Sequence, residues 1–142
     1  MAGGVPKQVL EMLAQVPLFS ECSRAELRLI AGLGASVPVD SGATLTKQGA
    51  VGREFFLVTS GSARCFRDGK LVARFGPGDF FGEMALLDRA PRTATIVADE
   101  PMEVLVLDSR EFETMLEDAP SISRKLLKAL AVRQRAISAL QN

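Results

Sequence analysis

Apolar positions recur with a helical period at both ends of this chain and with a two-residue period between them. Near the N-terminus, Val9, Leu10, Leu13 and Val16 form a short stripe that Pro17 interrupts before Leu18-Phe19. Ser23 follows with Glu26 three positions on, the N-cap and capping-box pair that opens a second helix. Leu27, Ile30 and Leu33 give that helix its inner face, and Gly32 and Gly34 close it. Residues 6–33 therefore read as helical, and their stripes as core.

From residue 35 the period shortens. β-rich runs follow at Ala35–Val39, Ala43–Lys47, Glu54–Thr59, Ala63–Arg67, Leu71–Phe75, Thr93–Ala98 and Glu103–Leu107. Turn residues divide them at Asp40-Ser41-Gly42, Gly49 to Gly52, Ser60-Gly61, Asp68-Gly69 and Gly76-Pro77-Gly78-Asp79. Asp68-Gly69 is a strong two-residue hairpin signal. Seven or eight short strands with turns this regular predict a sandwich or jelly-roll barrel over about residues 35–108.

The alternation breaks between Gly82 and Leu87, where Glu, Met, Ala and Leu favour helix but leave room for only a turn or two. After Leu107 the helical period returns. Asp108 or Ser109 caps a helix carrying Phe112, Met115 and Leu116, and Pro120 opens a final segment at a favoured first-turn position. On a helical wheel Ile122, Leu126, Leu130, Ile137 and Leu140 share one face. Arg133 interrupts that face, whereas Arg135 points the opposite way. The stripe can pack on the barrel or pair with a second copy as a short coiled coil.

Composition removes several alternatives. The chain has 142 residues, 17 basic and 17 acidic side chains and no His, Trp or Tyr. One domain spanning residues 1–142 is the simplest division. Zero formal charge speaks against a broad electrostatic footprint for nucleic acid or an anionic membrane. Without His, most zinc sites, imidazole base catalysis and Ser-His triads drop out, and no activated nucleophile is visible. The reading is of a non-enzyme with no metal or cofactor. Cys22 and Cys65 lack a paired metal spacing and read as free thiols in a reducing cytoplasm. No window resembles a membrane span or secretion leader.

The chemistry concentrates in Phe80 to Thr95. Glu83 and Arg92, nine positions apart, flank a turn-like Asp88-Arg89-Ala90-Pro91 inside an apolar segment. Such segments exclude charge unless it is paired or meets a ligand. A small anion held between a helical turn and an arginine suits the pattern; a buried Arg92–Glu83 ion pair is the plainer alternative. Gly82 could serve only a tight turn, and Thr93 could simply be a strand residue.

Phe81-Gly82-Glu83-Met84-Ala85-Leu86, followed by Pro91-Arg92-Thr93-Ala94-Thr95, resembles the phosphate-binding cassette of cyclic nucleotide-binding domains, the type found in catabolite activators, protein kinase A regulatory subunits and cyclic nucleotide-gated channels. Gly49-Ala50-Val51-Gly52-Arg53-Glu54-Phe55-Phe56-Leu57-Val58, Ser60-Gly61-Ser62-Ala63 and Pro77-Gly78-Asp79 resemble the family's glycine-marked strands and its approach to the cassette. The resemblance covers roughly residues 8–140. It implies a double-stranded β-helix, or jelly-roll, barrel with N-terminal helices and a C-terminal helical lid over about residues 109–141.

The resemblance also implies ligand-binding residues: Gly82, Glu83, Met84, Ala85, Arg92, Thr93 and Arg133. Arg92 would pair with the cyclic phosphate, Glu83 would accept from the ribose 2′-hydroxyl, and Gly82 would let the backbone approach. The Ala85 N–H and Thr93 would contact the phosphate, and Arg133 would cover the purine. A guanidinium is the best planar partner for a phosphodiester monoanion. The expected ligand is cyclic AMP, with cyclic GMP open because a Thr93 hydroxyl can reach a guanine amino group. The expected function is a regulatory module that switches an attached or partner effector by closing its C-terminal helices. The alternatives are the effector-binding half of a catabolite-activator-like regulator, which would need a helix-turn-helix that does not precede Asn142, and a degenerate interaction domain.

Overall fold

The structure, a computed structural model, describes residues 7–141 apart from the side chains of Met84, Ile137, Leu140 and Gln141. Helix α1 (Lys7–Ala14), a 3-10 turn at Pro17–Phe19 and α2 (Arg24–Leu33) lead into strands β1 (Ala35–Val39), β2 (Thr44–Thr46), β3 (Glu54–Ser60), β4 (Ala63–Arg67), β5 (Lys70–Phe75) and β6 (Phe80–Phe81). Helix α3 (Glu83–Asp88), strands β7 (Thr95–Ala98) and β8 (Met102–Asp108), then α4 (Ser109–Asp118) and α5 (Pro120–Gln141) complete the order.

Local chemistry accounts for the boundaries. Ser23 and Glu26 form the reciprocal capping box that opens α2, and Asp108 does the same with Glu111 for α4. Pro17 sits at the first position of the 3-10 turn, which is why helix does not run unbroken from residue 6 to residue 33. Gly34 is the C-cap of α2, whereas Gly32 lies inside the helix and closes nothing. Ala119, ahead of Pro120, leaves the helical region at φ −132°, ψ 73°, and separates α4 from α5. The β4–β5 hairpin turns on Asp68 and Gly69, both at positive φ as a two-residue turn requires.

The strands form two antiparallel four-stranded sheets, ordered β1-β8-β3-β6 and β2-β7-β4-β5. This is the jelly-roll architecture with flanking helices. Among the described residues no strand pairing joins the two sheets, so the barrel is open rather than continuously hydrogen-bonded.

Strands β3, β6 and β8 of the first sheet are covered on both faces, while its edge strand β1 is largely exposed. Phe55, Leu57, Phe80, Leu105 and Leu107 face the helices and pack with Leu13, Phe19, Ile30, Phe112, Met115 and Ile122. Phe56, Val58, Phe81, Met102 and Val104 face inward against Ala63, Cys65, Phe75, Ile96 and Ala98 of the second sheet. Each such aliphatic or aromatic side chain contributes about 1.5–3 kcal/mol of transfer free energy. The adjacent residues Phe80 and Phe81 thus belong to different cores.

That two-residue strand is absent from the sequence reading, because Phe-Phe beside Gly82 carries no visible alternation. β7 begins at Thr95 rather than Thr93, because the Arg92 backbone is already committed to another segment. Helix α5 lies against the 3-10 turn, α4 and β5. Ile122 and Leu126 are buried and Leu130 is packed against the helical core, while Arg135 is exposed. The expected contributions of Ile137 and Leu140 lie outside the described side chains.

Candidate functional site

The segment from β6 to β7 folds back on the loop before β3, and backbone chemistry sets that approach. Arg92 N–H donates to the Ala50 carbonyl at 2.8 Å, and Gly49 N–H donates to the Arg92 carbonyl at 2.8 Å. This clasp swings the Arg92 side chain across Gly52, where a Cβ would fall 2.1 Å from its Nε. Gly52 is therefore glycine because the guanidinium stem occupies its side-chain space.

The Arg92 guanidinium is buried at 7% exposure. Its Nη1 donates to the Gly82 carbonyl at 3.0 Å, and its Nη2 donates to the Glu54 carbonyl at 2.9 Å and to Glu54 Oε1 at 3.4 Å. It also lies 5.9 Å from the Phe56 ring centroid. Burial pulls its pKa below the ordinary arginine value, and the carboxylates of Glu54 and then Glu83 oppose that pull. The ion-pair partner of Arg92 is Glu54, so the simple Arg92–Glu83 pair is not what forms.

Gly82 is required twice over. Its φ of +93° is the left-handed region, and a Cβ there would meet the Glu54 carbonyl at 2.5 Å. That backbone starts α3, whose first residue Glu83 is 3% exposed. In the first turn of a helix the N–H groups have no i−4 carbonyl to bond, so those around Ala85 point out of the helix end.

Glu83 meets Arg133 of α5. Arg133 Nη1 donates to Glu83 Oε1 at 2.6 Å, and its Nη2 donates to the Phe80 carbonyl. The same guanidinium sits 4.5 Å from the Phe80 ring centroid and 5.2 Å from that of Phe75. The hydrophobic stripe thus places its one cation against the cassette.

A cavity of about 800 Å³ collects these groups. Gly82, Glu83, Ala85, Arg92, Thr93 and Arg133 all line it. Thr93 is exposed and lies ahead of β7, outside any strand. Met84, the remaining expected ligand residue, has its side chain outside the description.

Four further residues, not expected among the ligand-binding residues, shape the site. Gly52 and Glu54 hold Arg92. Gln48 ties the loop to the hairpin tip: its Nε2 donates to Asp68 Oδ1, and Asp68 N–H donates to Gln48 Oε1, both at 2.8 Å. Cys65 lines the inner wall, and burial pushes its thiol pKa up. The two glycines flanking Ala50-Val51, and a lone carboxylate opening an apolar strand, were the available signals. Among the described residues no group of three or more Cys or carboxylate side chains could hold a metal ion, and no helix is long and apolar enough to cross a membrane.

Residues 36–119 match the profile of the cyclic nucleotide-binding domain family. The chain is similar to the cAMP-dependent protein kinase regulatory subunits of Colletotrichum orbiculare, at 38% identity over 117 residues, and of Blumeria graminis, at 36% over 115. Those alignments cover 81% and 80% of this chain but 30% and 29% of the relatives, so the chain spans about three-tenths of their length. Among solved structures it is similar to cAMP-bound PfPKA-R, with a TM-score of 0.86 and 28% identity, covering 95% of this chain and 47% of that one. It is similar also to the Thermus thermophilus catabolite activator protein, with a TM-score of 0.79 and 32% identity, covering 88% of this chain and 61% of that one.

Proposed function

Because the chain belongs to the cyclic nucleotide-binding domain family, we propose that it binds cyclic AMP in the cavity between α3, the 48–54 loop and α5, and regulates an effector through that binding. The observation that carries this reading is the buried Arg92 guanidinium, held at the cavity wall by Gly82 and Glu54. A fixed, desolvated guanidinium beside outward-pointing backbone N–H groups is a complementary partner for a phosphodiester monoanion.

In this reading Arg92 and the Ala85 N–H take the cyclic phosphate, Gly82 and Met84 carry the backbone past it, and Thr93 adds a hydroxyl. Glu83 accepts from the ribose 2′-hydroxyl, sharing its carboxylate with Arg133. Arg133 stands between the ribose end and α5, over the rings of Phe75 and Phe80. A ligand that binds one position of α5 more tightly than another shifts α5, and that differential affinity is the signal. The effector is an attached or partner domain, and the naming of the fungal relatives points to a kinase. The module itself performs no catalysis, binds no nucleic acid and works in the cytoplasm.

Exposed Thr93 at the cavity favours cyclic GMP as a second ligand. The likeness to the Thermus protein supports a second reading, the effector-binding half of a transcription regulator. A homodimer would form through the C-terminal helix α5; light scattering with and without nucleotide tests it, and a monomer in both conditions removes it. Titration calorimetry with cyclic AMP and cyclic GMP tests the principal reading. Micromolar or tighter binding of one of them is expected, and no binding below about millimolar, roughly −4 kcal/mol, refutes it.

A further inference from the structure

We infer that Glu54 makes this site selective for the net charge of the phosphate, admitting a phosphodiester monoanion and rejecting a phosphomonoester dianion. The inference rests on the cyclic-nucleotide reading and concerns a residue outside the cassette motif.

Two observations carry it. The first is donor accounting at Arg92. A guanidinium has five N–H groups. Three of the hydrogen bonds made by its terminal nitrogens go to Gly82 O, Glu54 O and Glu54 Oε1. The remaining donor capacity matches the two non-bridging oxygens of a diester better than the three oxygens of a monoester.

The second is charge. Three arginines (Arg67, Arg92, Arg133) and two carboxylates (Asp68, Glu83) line the cavity among the described residues. The Glu54 carboxylate, 3.4 Å from Arg92 Nη2, makes the count even. Arg133 is bonded to Glu83, Arg92 to Glu54 and Arg67 to the Thr93 carbonyl, so the lining carries no net positive charge, and a dianion meets the field of Glu54 about twice as strongly as a monoanion. Glu54 is half-exposed, so its field is screened, and its effect is graded rather than absolute.

The test compares cyclic AMP with 5′-AMP as competitors of a fluorescent cyclic AMP analogue at about pH 8, where the monoester is dianionic because its second pKa lies near 6. Glu54→Gln keeps the size and removes the charge. It is expected to narrow the wild-type preference for cyclic AMP roughly three- to tenfold, mainly through tighter 5′-AMP binding. Glu54→Asp, which keeps the charge, is expected to retain the wild-type preference. An unchanged ratio in Glu54→Gln overturns the inference, because steric exclusion of the monoester would survive an isosteric change. Equal narrowing by Glu54→Asp also overturns it, because that would trace the preference to the positioning of Arg92. Failure of the wild-type chain to bind cyclic AMP at all is a different outcome and removes the underlying reading.

Discussion

Arg133 of α5 donates to Glu83 of α3 across 2.6 Å, and this charged hydrogen bond, with a second one to the Phe80 carbonyl, ties the C-terminal helix to the segment that carries the site. Both groups are largely removed from water, so neither is indifferent to losing the other. Arg133→Ala is therefore expected to destabilise the fold by about 1–3 kcal/mol. A double-mutant cycle with Glu83→Gln, read by urea denaturation, should return a coupling energy of about 0.5–3 kcal/mol. Simple additivity would mean that the pair links nothing.

Arg92 and Arg133 differ in what each can lose. Arg92 is buried and fixed by two carbonyls and a carboxylate, whereas Arg133 reaches the site from the neighbouring helix α5. Arg92→Ala should weaken cyclic AMP binding by about 2–5 kcal/mol, the range for truncating one side of a buried charged hydrogen bond. Arg133→Ala should cost less. Calorimetry that finds equal losses contradicts this division of roles. Arg92→Lys should rescue poorly, since an ammonium cannot reproduce the planar fork.

Gly52 offers a way to move Arg92 without touching it. An alanine methyl would overlap the Arg92 Nε position, and the guanidinium would have to leave its carbonyl partners. Gly52→Ala is expected to approach the affinity loss of Arg92→Ala while the cooperative unfolding transition is kept. Wild-type affinity in this variant would show that the cradle is not needed.

The two thiols should react unequally. Burial raises the pKa of both, and Cys65 lies deeper than Cys22. Iodoacetamide is expected to label Cys22 before Cys65 in the folded chain and to lose that order in urea. A thiol whose folded pKa is raised holds its proton longer than the unfolded chain does. Its contribution to stability is full below the unfolded thiol pKa and is lost as pH climbs through the folded one. Cys65→Ala should flatten that alkaline decline in a pH series of denaturant midpoints.

Most of the fold was legible because its determinants are local. The capping box at Ser23, a cap at Asp108 or Ser109, the Asp68-Gly69 turn and the two-residue alternation are short-range patterns, and they placed the elements within a few residues. The wheel likewise selected Arg133 over Arg135 for the face turned toward the site. What the sequence left dark is long-range. Nothing local marks Glu54 as the ion-pair partner of Arg92, because that meeting depends on the clasp between residues 49–50 and 92. Strand β6 escaped for a related reason: two residues cannot display a period, and Phe80–Phe81 becomes a strand only by pairing with Phe56 and Leu57.

Phe80 and Phe81 also join the cassette to both cores. The first ring is seated among the helices and stacks on Phe55, while the second is seated inside the barrel between Phe56 and Phe75. The backbone joining them runs straight into Gly82 and the cassette. Close-packed interiors do not compress to accommodate a shift on one side alone. A displacement of β6 with the cassette would therefore press on both cores at once.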